Sequence, residues 1–130
     1  MDAMRRKWIT AVLLLGLGAG GGALFAQEEQ PYNPYRAEKS VEVGLFYFKK
    51  KNYDAAIERF KDAIRFKPNF ARPHQLLGES YEKKGDKKEA IAWYRKYLEI
   101  LPSADNADAI RKRIDKLTRE IEQDAVRRKR

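Results

Sequence analysis

Apolar residues recur every three or four positions along much of this chain, which is the spacing of one face of an α-helix. The spacing predicts a first helix from about Ala37 to Lys50 and a second, with a broader apolar face, that follows Asn52. The apolar positions are Val43, Gly44, Tyr47 and Phe48 in the first helix, and Ala56, Ile57, Phe60, Ala63 and Ile64 in the second. We expect the two helices to pack against each other through these faces.

The same arrangement occurs a second time and is followed by one longer helix. The apolar positions are Leu76, Leu77, Gly78 and Tyr81 in a third helix, and Ala90, Ile91, Tyr94, Leu98 and Leu101 in a fourth. A fifth helix is predicted from about Asp105 to Arg127, with one narrow apolar stripe formed by Ile110, Ile114, Leu117 and Ile121. The stripe is shorter than the about three or four heptads of a coiled coil, so we expect this helix to cover the end of the fourth.

The residues between the predicted helices carry the signals of helix ends. Asn52 can cap the N-terminus of the second helix, and Asp86 with Glu89 forms a capping-box pattern before the fourth. Gly85 suits the left-handed conformation that ends many helices. Pro68 cannot continue a helix, so the second helix is expected to stop before it.

Six positions of the first helix pair recur 34 residues later in the second. They are Gly44, Tyr47, Ala56, Phe60, Ala63 and Pro68, answered by Gly78, Tyr81, Ala90, Tyr94, Tyr97 and Pro102. A period of 34 with a small residue, an aromatic three positions later, and then Ala, an aromatic and Pro is typical of tetratricopeptide repeats. Residues 37–104 therefore resemble the tetratricopeptide repeat family, with Ser40 and His74 where Trp often stands and Tyr97 at an Ala position.

The resemblance implies an all-α fold built as an α-solenoid. Two helix-turn-helix repeats are expected at residues 37–70 and 71–104, followed by a C-terminal capping helix with a basic tail at 105–130. A single repeat cannot bury its apolar face alone, and about three repeats are usually needed for stability. Our hypothesis is that the capping helix supplies the missing layer, and self-association through the uncapped first repeat is the alternative.

Residues 1–26 have the features of a secretory signal peptide. Basic residues at positions 5–7 are followed by a mainly apolar stretch from Ile9 to Leu17, and cleavage is expected after Ala26, with Ala23 as the alternative. Because Trp8 to Gln27 carries no charge and approaches the about 20 residues that span a bilayer, an uncleaved membrane anchor is the alternative. Both interpretations predict an exported repeat domain, periplasmic after cleavage or membrane-anchored without it.

Residues 27–36 are predicted to form a linker. Pro31 and Pro34 remove backbone donors and favour extended conformations in the residues before them. Tyr32 and Tyr35 are interpreted as side chains that lie against the first helix, with a docking motif as the alternative.

The composition argues against catalysis. The 130-residue chain carries a formal charge of +9 and contains no cysteine, which excludes disulfides, thiolate metal sites and cysteine nucleophiles. The single histidine, His74, falls at a structural position of the repeat, and no glycine-rich phosphate loop lies outside the leader. Without a nucleophile–base pair, the sequence predicts a protein that is not an enzyme and that uses no cofactor or metal.

In the tetratricopeptide family, a concave surface lined mainly by the first helix of each repeat holds segments of partner proteins. The family's groove positions correspond here to Glu38, Val41, Leu45, Phe48 and Lys49 in the first repeat, and to Arg72, Gln75, Glu79, Glu82 and Lys83 in the second. The first set is largely apolar and the second is polar, which favours a ligand with an apolar anchor beside a charged stretch. The Lys and Asn arrangement that clamps C-terminal carboxylates in some relatives is absent, so chaperone tails are disfavoured.

Two further interpretations concern the surface. The linker could fold back over the apolar positions Val41, Leu45 and Phe48, which is the alternative to an open groove. From Arg111 to Arg130, basic residues outnumber acidic ones nine to four. This excess of positive charge favours contact with an anionic membrane or envelope surface, and the alternative is that it serves only solubility.

Together, these features predict a non-enzymatic scaffold of the bacterial cell envelope that binds a protein or peptide partner in its groove. Nucleic acid is not expected as a partner, because export would separate the two and no aromatic stacking platform accompanies the basic residues. Binding of an anionic surface through the C-terminal helix is the alternative.

Overall fold

The computed structural model describes residues 31–130, which form five helices that each pack against the next. The helices are α1 (Pro34–Lys49), α2 (Tyr53–Phe66), α3 (Ala71–Lys84), α4 (Lys87–Ile100) and α5 (Ala107–Arg128). The predicted all-α fold, two helical hairpins followed by a C-terminal helix, is confirmed. The predicted signal peptide or anchor at 1–26 and the first part of the linker lie outside the described residues.

Helix α1 begins earlier than the sequence pattern indicated. Asn33 caps it, because its side-chain oxygen accepts a hydrogen bond of 2.9 Å from the Arg36 N–H, and Pro34 occupies the first helical position. Proline is well suited to that position, since its ring fixes φ and the missing donor would be unpaired anyway. The prediction of a linker through residue 36 is therefore wrong for its last three residues.

The tyrosines of the predicted linker do not lie against the first helix. Tyr32 and Tyr35 are both mostly exposed, and Tyr35 belongs to the first turn of α1. The backbone just before α1 is instead tied to the end of α2, because the Asn33 N–H donates to the Phe66 carbonyl at 2.9 Å. The described part of the linker therefore does not cover the groove side of α1.

Two apolar cores stabilise the fold, one centred in each hairpin. The first contains Ala37, Val41, Ala56, Ile57, Phe60, Ala63, Leu76 and Leu77. The second contains Ala90, Ile91, Tyr94, Tyr97, Ile110, Ile114 and Leu117. Because α3 contributes to the first core and α5 to the second, the hairpins and the last helix form one continuous stack.

Each hairpin is held close by an aromatic ring lying over a glycine. A β-carbon added at Gly44 would lie 2.4 Å from the ring of Phe60, and one added at Gly78 would lie 2.5 Å from the ring of Tyr94. Both rings are fully buried. The expected packing of the paired helices against each other is confirmed, and the repeated glycine makes room for the repeated ring.

The predicted caps at Asn52 and Asp86 and the predicted helix end at Gly85 are also confirmed, but the second half of the capping box is not formed, because the Asp86 N–H donates to the Tyr81 carbonyl. The side chains of Asn52 and Asp86 accept hydrogen bonds from the first turns of α2 and α4. Gly85 adopts the left-handed conformation with φ of 85°. Helices α2 and α4 end two residues before Pro68 and Pro102, because the residue preceding a proline is biased towards extended conformations.

Helix α5 covers the outer side of α4, as expected of a capping helix. Its buried residues Ala107, Ile110 and Ile114 lie 34 positions after three buried residues of α3, Pro73, Leu76 and Ser80, of which Leu76 belongs to the core of the preceding hairpin. Helix α5 thus uses the same face as the first helix of a repeat would. Within residues 31–130, no helix is both long and apolar enough to cross a bilayer.

Candidate partner-binding groove

A groove of about 460 Å³ lies where side chains of α1, α3 and α5 meet. It is lined by Phe48 from the last turn of α1, by Glu79, Glu82 and Lys83 from α3, and by Arg113 from α5. The α3 residues share one face because side chains three and four positions apart on a helix are neighbours. One end of the groove is therefore apolar and the rest carries charges of both signs.

Phe48 forms the apolar end of the groove. Its ring packs edge to face with Tyr53, with ring centroids 5.3 Å apart, and it lies half-buried against the first core together with Leu45. Such aromatic pairs hold a ring in a fixed orientation. Phe48 thus offers a pre-positioned apolar surface to a ligand.

A hydrogen-bonded triad of Glu82, Tyr94 and Arg113 joins α3, α4 and α5 at the groove. The buried Tyr94 hydroxyl donates to Glu82 Oε2 at 2.7 Å and accepts from Arg113 Nη1 at 3.3 Å, and Arg113 Nε lies 3.6 Å from Glu82 Oε2. Burial, reinforced by the bond to Glu82, raises the pKa of Tyr94 well above its ordinary value of 10.0. Tyr94 therefore remains a neutral donor that fixes both charged groups.

A second polar chain connects the α4–α5 loop with α3. The Tyr97 hydroxyl donates to Asn106 Oδ1 at 2.7 Å, Asn106 Nδ2 donates to Gln75 Oε1 at 3.1 Å, and Gln75 Nε2 donates to Glu79 Oε1 at 2.9 Å. This chain explains why a tyrosine is accommodated at the Ala-type position of the second repeat. Its hydroxyl has a partner at the start of α5.

The structure brings together part of the predicted groove. Phe48, Glu79, Glu82 and Lys83 line it, whereas Leu45 packs against the first core. The remaining exposed positions predicted for the groove are not among the lining residues: they are Glu38, Lys49 and Arg72. Partner binding by any of these residues remains a prediction.

Two residues predicted to line the groove instead make contacts within the protein. Val41 is only 1% exposed, because it lies four residues after Ala37 and three before Gly44, on the face of α1 that packs inward. It is a core residue, and its assignment to the groove is wrong. The Gln75 amide is bonded on both sides within the molecule, so its role in the structure is to fix Glu79 and Asn106.

Arg113 is the lining residue that the sequence pattern did not identify. It lies 34 positions after Glu79, which itself lies 34 positions after Leu45. Continuing the period into α5 would have placed Arg113 at a third groove position. The signal was missed because α5 lacks the repeat's small and aromatic residues, and only its packing shows that it occupies the place of a first helix.

His74 packs between helices and lies outside the groove lining. Its ring is 5% exposed, with Nδ1 2.7 Å from the Phe70 carbonyl and the ring 5.8 Å from Trp93. Desolvation lowers the pKa of His74, with the bond to Phe70 opposing and the charge of Lys96 assisting. Across residues 31–130, no cluster of three or more His, Cys, Asp or Glu side chains is arranged to hold a metal ion.

These features define a class of protein: stacked helical hairpins of fixed period with a groove across their first helices form an α-solenoid repeat module. Comparison with known families gives the type of repeat. A TPR repeat model matches residues 44–85, and a tetratricopeptide repeat model matches residues 71–104. Residues 44–104 therefore contain tetratricopeptide repeats, which serve as protein-interaction modules.

Relatives are similar to this chain over short stretches. A probable UDP-N-acetylglucosamine–peptide N-acetylglucosaminyltransferase of Arabidopsis thaliana is 32% identical over 62 residues, which are 48% of this chain and 6% of the relative. Hsp70-Hsp90 organizing protein 3 of the same plant is 29% identical, and the Hsp70-Hsp90 organizing protein of Triticum aestivum is 30% identical. Both of the latter alignments cover 77 residues, 59% of this chain and 14% and 13% of those proteins.

The chain thus corresponds to a small fraction of each of these relatives. An alignment over 6% of the transferase is a likeness between repeat regions and carries no inference about transfer of a sugar. The likeness to the organizing proteins is of the same kind. What these proteins share with this chain is the repeat.

Proposed function

We propose that this protein is a non-catalytic adaptor that binds a segment of a partner protein in the groove between α1, α3 and α5. The observation that carries the proposal is the convergence of Phe48, Glu79, Glu82, Lys83 and Arg113 around one concave surface. Concave surfaces of stacked helical repeats are extended and already formed in the free protein. A partner segment can therefore bind without refolding of the repeat protein.

The groove favours a segment with an apolar anchor beside charged residues. Phe48 offers an apolar surface at one end, and the other lining residues include two carboxylates and two basic groups. Because Glu82 and Arg113 are already bonded to Tyr94, their positions are set before a ligand arrives, which reduces the ordering cost of binding. Lys83 is exposed and free to move towards a carboxylate of the ligand.

The experiment is site-specific photocrosslinking in cells. A photoreactive residue is placed in the full chain at Lys83, in the groove, and for comparison at Lys88, an exposed lysine of α4 that is not among the groove residues. We expect one partner segment to be captured at position 83 and not at position 88. The purified partner should then bind the wild-type chain and bind a Phe48→Ala, Lys83→Glu variant at least tenfold more weakly.

The matched control for that variant is Lys88→Glu, which makes the same charge change away from the groove. Equal weakening by both changes would mean that net charge, and not the groove, determines binding. Capture at both positions with equal efficiency would remove the groove as the binding site. Groove binding through an apolar anchor should also persist as the salt concentration rises.

For location, we propose that residues 1–26 export the repeat module to the bacterial cell envelope. The support is the basic segment at positions 5–7 followed by the mainly apolar stretch from Ile9 to Leu17. The test is fractionation of bacterial cells expressing the full chain, with N-terminal sequencing of the product. A mature N-terminus at Gln27 in the periplasmic fraction is expected, and a full-length cytoplasmic product would contradict the proposal.

A second candidate function is contact of α5 with an anionic surface. It is favoured by the length of α5, which has 22 residues against 14 in α4. The last turns of α5 carry basic residues around the exposed Val126. Part of the charge is already paired, as between Arg127 and Asp124. Sedimentation with anionic vesicles should then require Arg119, Arg127 and Arg130 and disappear at high salt, whereas an unchanged result after their replacement by Gln would exclude it.

A further inference from the structure

The outer face of α1 is exposed at positions that are buried in the equivalent helix of the second repeat. Pro73, Leu76, Leu77 and Ser80 of α3 are buried, and Leu76 and Leu77 belong to the core of the preceding hairpin. The positions 34 residues earlier are Lys39, Glu42, Val43 and Phe46, and all four are exposed. Phe46 is 57% exposed, whereas Ser80 is fully buried. The outer face of α1 is thus equivalent to the surface through which α3 packs on a neighbouring helix, but no helix of the described residues packs on it.

The side chains on this face limit what can dock there. Tyr35, Val43 and Phe46 are exposed apolar or aromatic residues, and they lie on either side of Lys39 and Glu42, which pair with each other at 2.8 Å. A helix that covers the face must therefore match a charged pair at its centre and an aromatic residue at each end. A purely apolar helix would leave the two charges without water and without a new partner.

A second copy of α1 satisfies these requirements. Tyr35 and Phe46 lie at equal distances, in residues, on either side of the Lys39 and Glu42 pair. When two α1 helices are placed antiparallel about a two-fold axis, Tyr35 of one meets Phe46 of the other, and Lys39 of one meets Glu42 of the other. A two-fold interface needs a surface that is complementary to itself in this way.

We propose that the protein forms a two-fold homodimer through the outer face of α1, with the aromatic residues stacked at the ends and two ion pairs between them. The contact lies on the side of α1 opposite the buried face from which Phe48 enters the groove, so both grooves stay accessible. Because one helix pair is smaller than the about 1,600 Å² of a standard interface, the dimer is expected to be weak and concentration-dependent.

The decisive test exchanges the charges between chains. Sedimentation equilibrium of the full chain in mild detergent should show a monomer–dimer equilibrium. Lys39→Glu and Glu42→Lys should each weaken dimerisation about tenfold, because two like-charge contacts replace two ion pairs. Mixing the two variants restores opposite charges at both contacts, so the heterodimer should form with the same affinity as the wild-type homodimer. Lys88→Glu and Glu99→Lys, exposed on α4, are the controls and should leave dimerisation unchanged.

A second variant tests the aromatic contacts. Phe46→Glu should abolish the dimer, whereas Val126→Glu, at a residue that is 55% exposed on α5, should not. Self-association that is insensitive to every α1 variant, or a mixture of the charge variants that fails to recover, would overturn the proposal. A monomer at all concentrations would also overturn it, and protection of a cysteine at position 46 from maleimide in that monomer would indicate that residues 1–30 of the same chain cover the face.

Discussion

Phe60 and Tyr94 occupy the same position in the two repeats, and each ring lies directly over a glycine of the partner helix. The glycine is required here for space. Its φ is that of an ordinary helix, so any residue could adopt the backbone conformation, but a β-carbon would overlap the ring. The pairing explains why the two glycines and the two rings recur together at the same interval.

Gly78→Ala and Gly44→Ala are each expected to destabilise the protein by about 1–3 kcal/mol, because the added methyl group forces the buried ring out of its position. Urea unfolding followed by circular dichroism measures the change. Gln123→Ala, on the exposed side of α5, should stay within about 0.5 kcal/mol of wild type. A stabilisation by either glycine substitution would show that helix propensity outweighs the overlap.

His74 links stability to pH. Its folded-state pKa is lowered below the ordinary 6.5, so between the two pKa values the unfolded chain binds more protons than the folded one. The contribution of His74 is therefore fully present above pH 6.5 and is lost as the pH falls through the folded-state pKa. The midpoint of urea unfolding should decrease from pH 7.5 to pH 5, and His74→Gln should reduce that slope. An equal slope in the variant would assign the effect to other groups.

At the scale of the elements, the two hairpins have different residues at the turn position with positive φ. Lys51 and Gly85 lie 34 positions apart, between the helices of each hairpin, and both have positive φ, 59° and 85° respectively. Glycine adopts this conformation without a steric penalty, whereas a residue with a β-carbon does so at a cost. The first hairpin thus contains a strained lysine where the second has the favoured residue.

Lys51→Gly is expected to stabilise the protein by about 0.5–1 kcal/mol, the relief of strain being partly offset by the greater freedom of glycine in the unfolded chain. The reciprocal change, Gly85→Lys, should destabilise it by about 1 kcal/mol. Thermal unfolding of the two variants and of the double variant tests the pair. Effects of the same sign at both positions would contradict this account, since the two turns share one geometry.

At the scale of the whole molecule, α5 decides whether two repeats are enough. Ile110, Ile114 and Leu117 are buried in the second core, where no other described helix covers the outer side of α4. The ion pair of Lys87 with Asp124, at 2.8 Å, and the triad around Tyr94 add polar contacts between α5 and the second repeat. Helix α5 therefore supplies the third layer that such stacks usually need.

Ile114→Ala is expected to destabilise the protein by about 2–4 kcal/mol, because it leaves a cavity between α4 and α5. If the stack is cooperative, hydrogen exchange should speed up throughout α3 and α4 and not in α5 alone. Val126→Ala, at an exposed position of the same helix, is the matched control and should change stability by less than about 0.5 kcal/mol. Faster exchange confined to α5 would mean that the repeats are stable without it.

The sequence by itself determined the helices, their order and most of their ends. Helical spacing of apolar residues, the caps at Asn52 and Asp86, and the 34-residue period all act over short distances along the chain, so they are visible without a fold. The extra turn at Pro34 was missed because two prolines suggested extended backbone, while the Asn33 cap made the second of them a helix start.

Only the tertiary structure decided which side chains are available for binding. Val41 and Phe48 lie two turns apart on the same face of α1, yet Val41 is buried in the first core and Phe48, in the last turn, lines the groove. The contribution of Arg113 and the internal use of Gln75 depend on how α5 docks, through contacts between residues 31 positions apart or between separate helices. The 34-residue period marks Arg113 as the equivalent of Glu79, but it does not show these contacts, because they depend on the relative placement of whole helices.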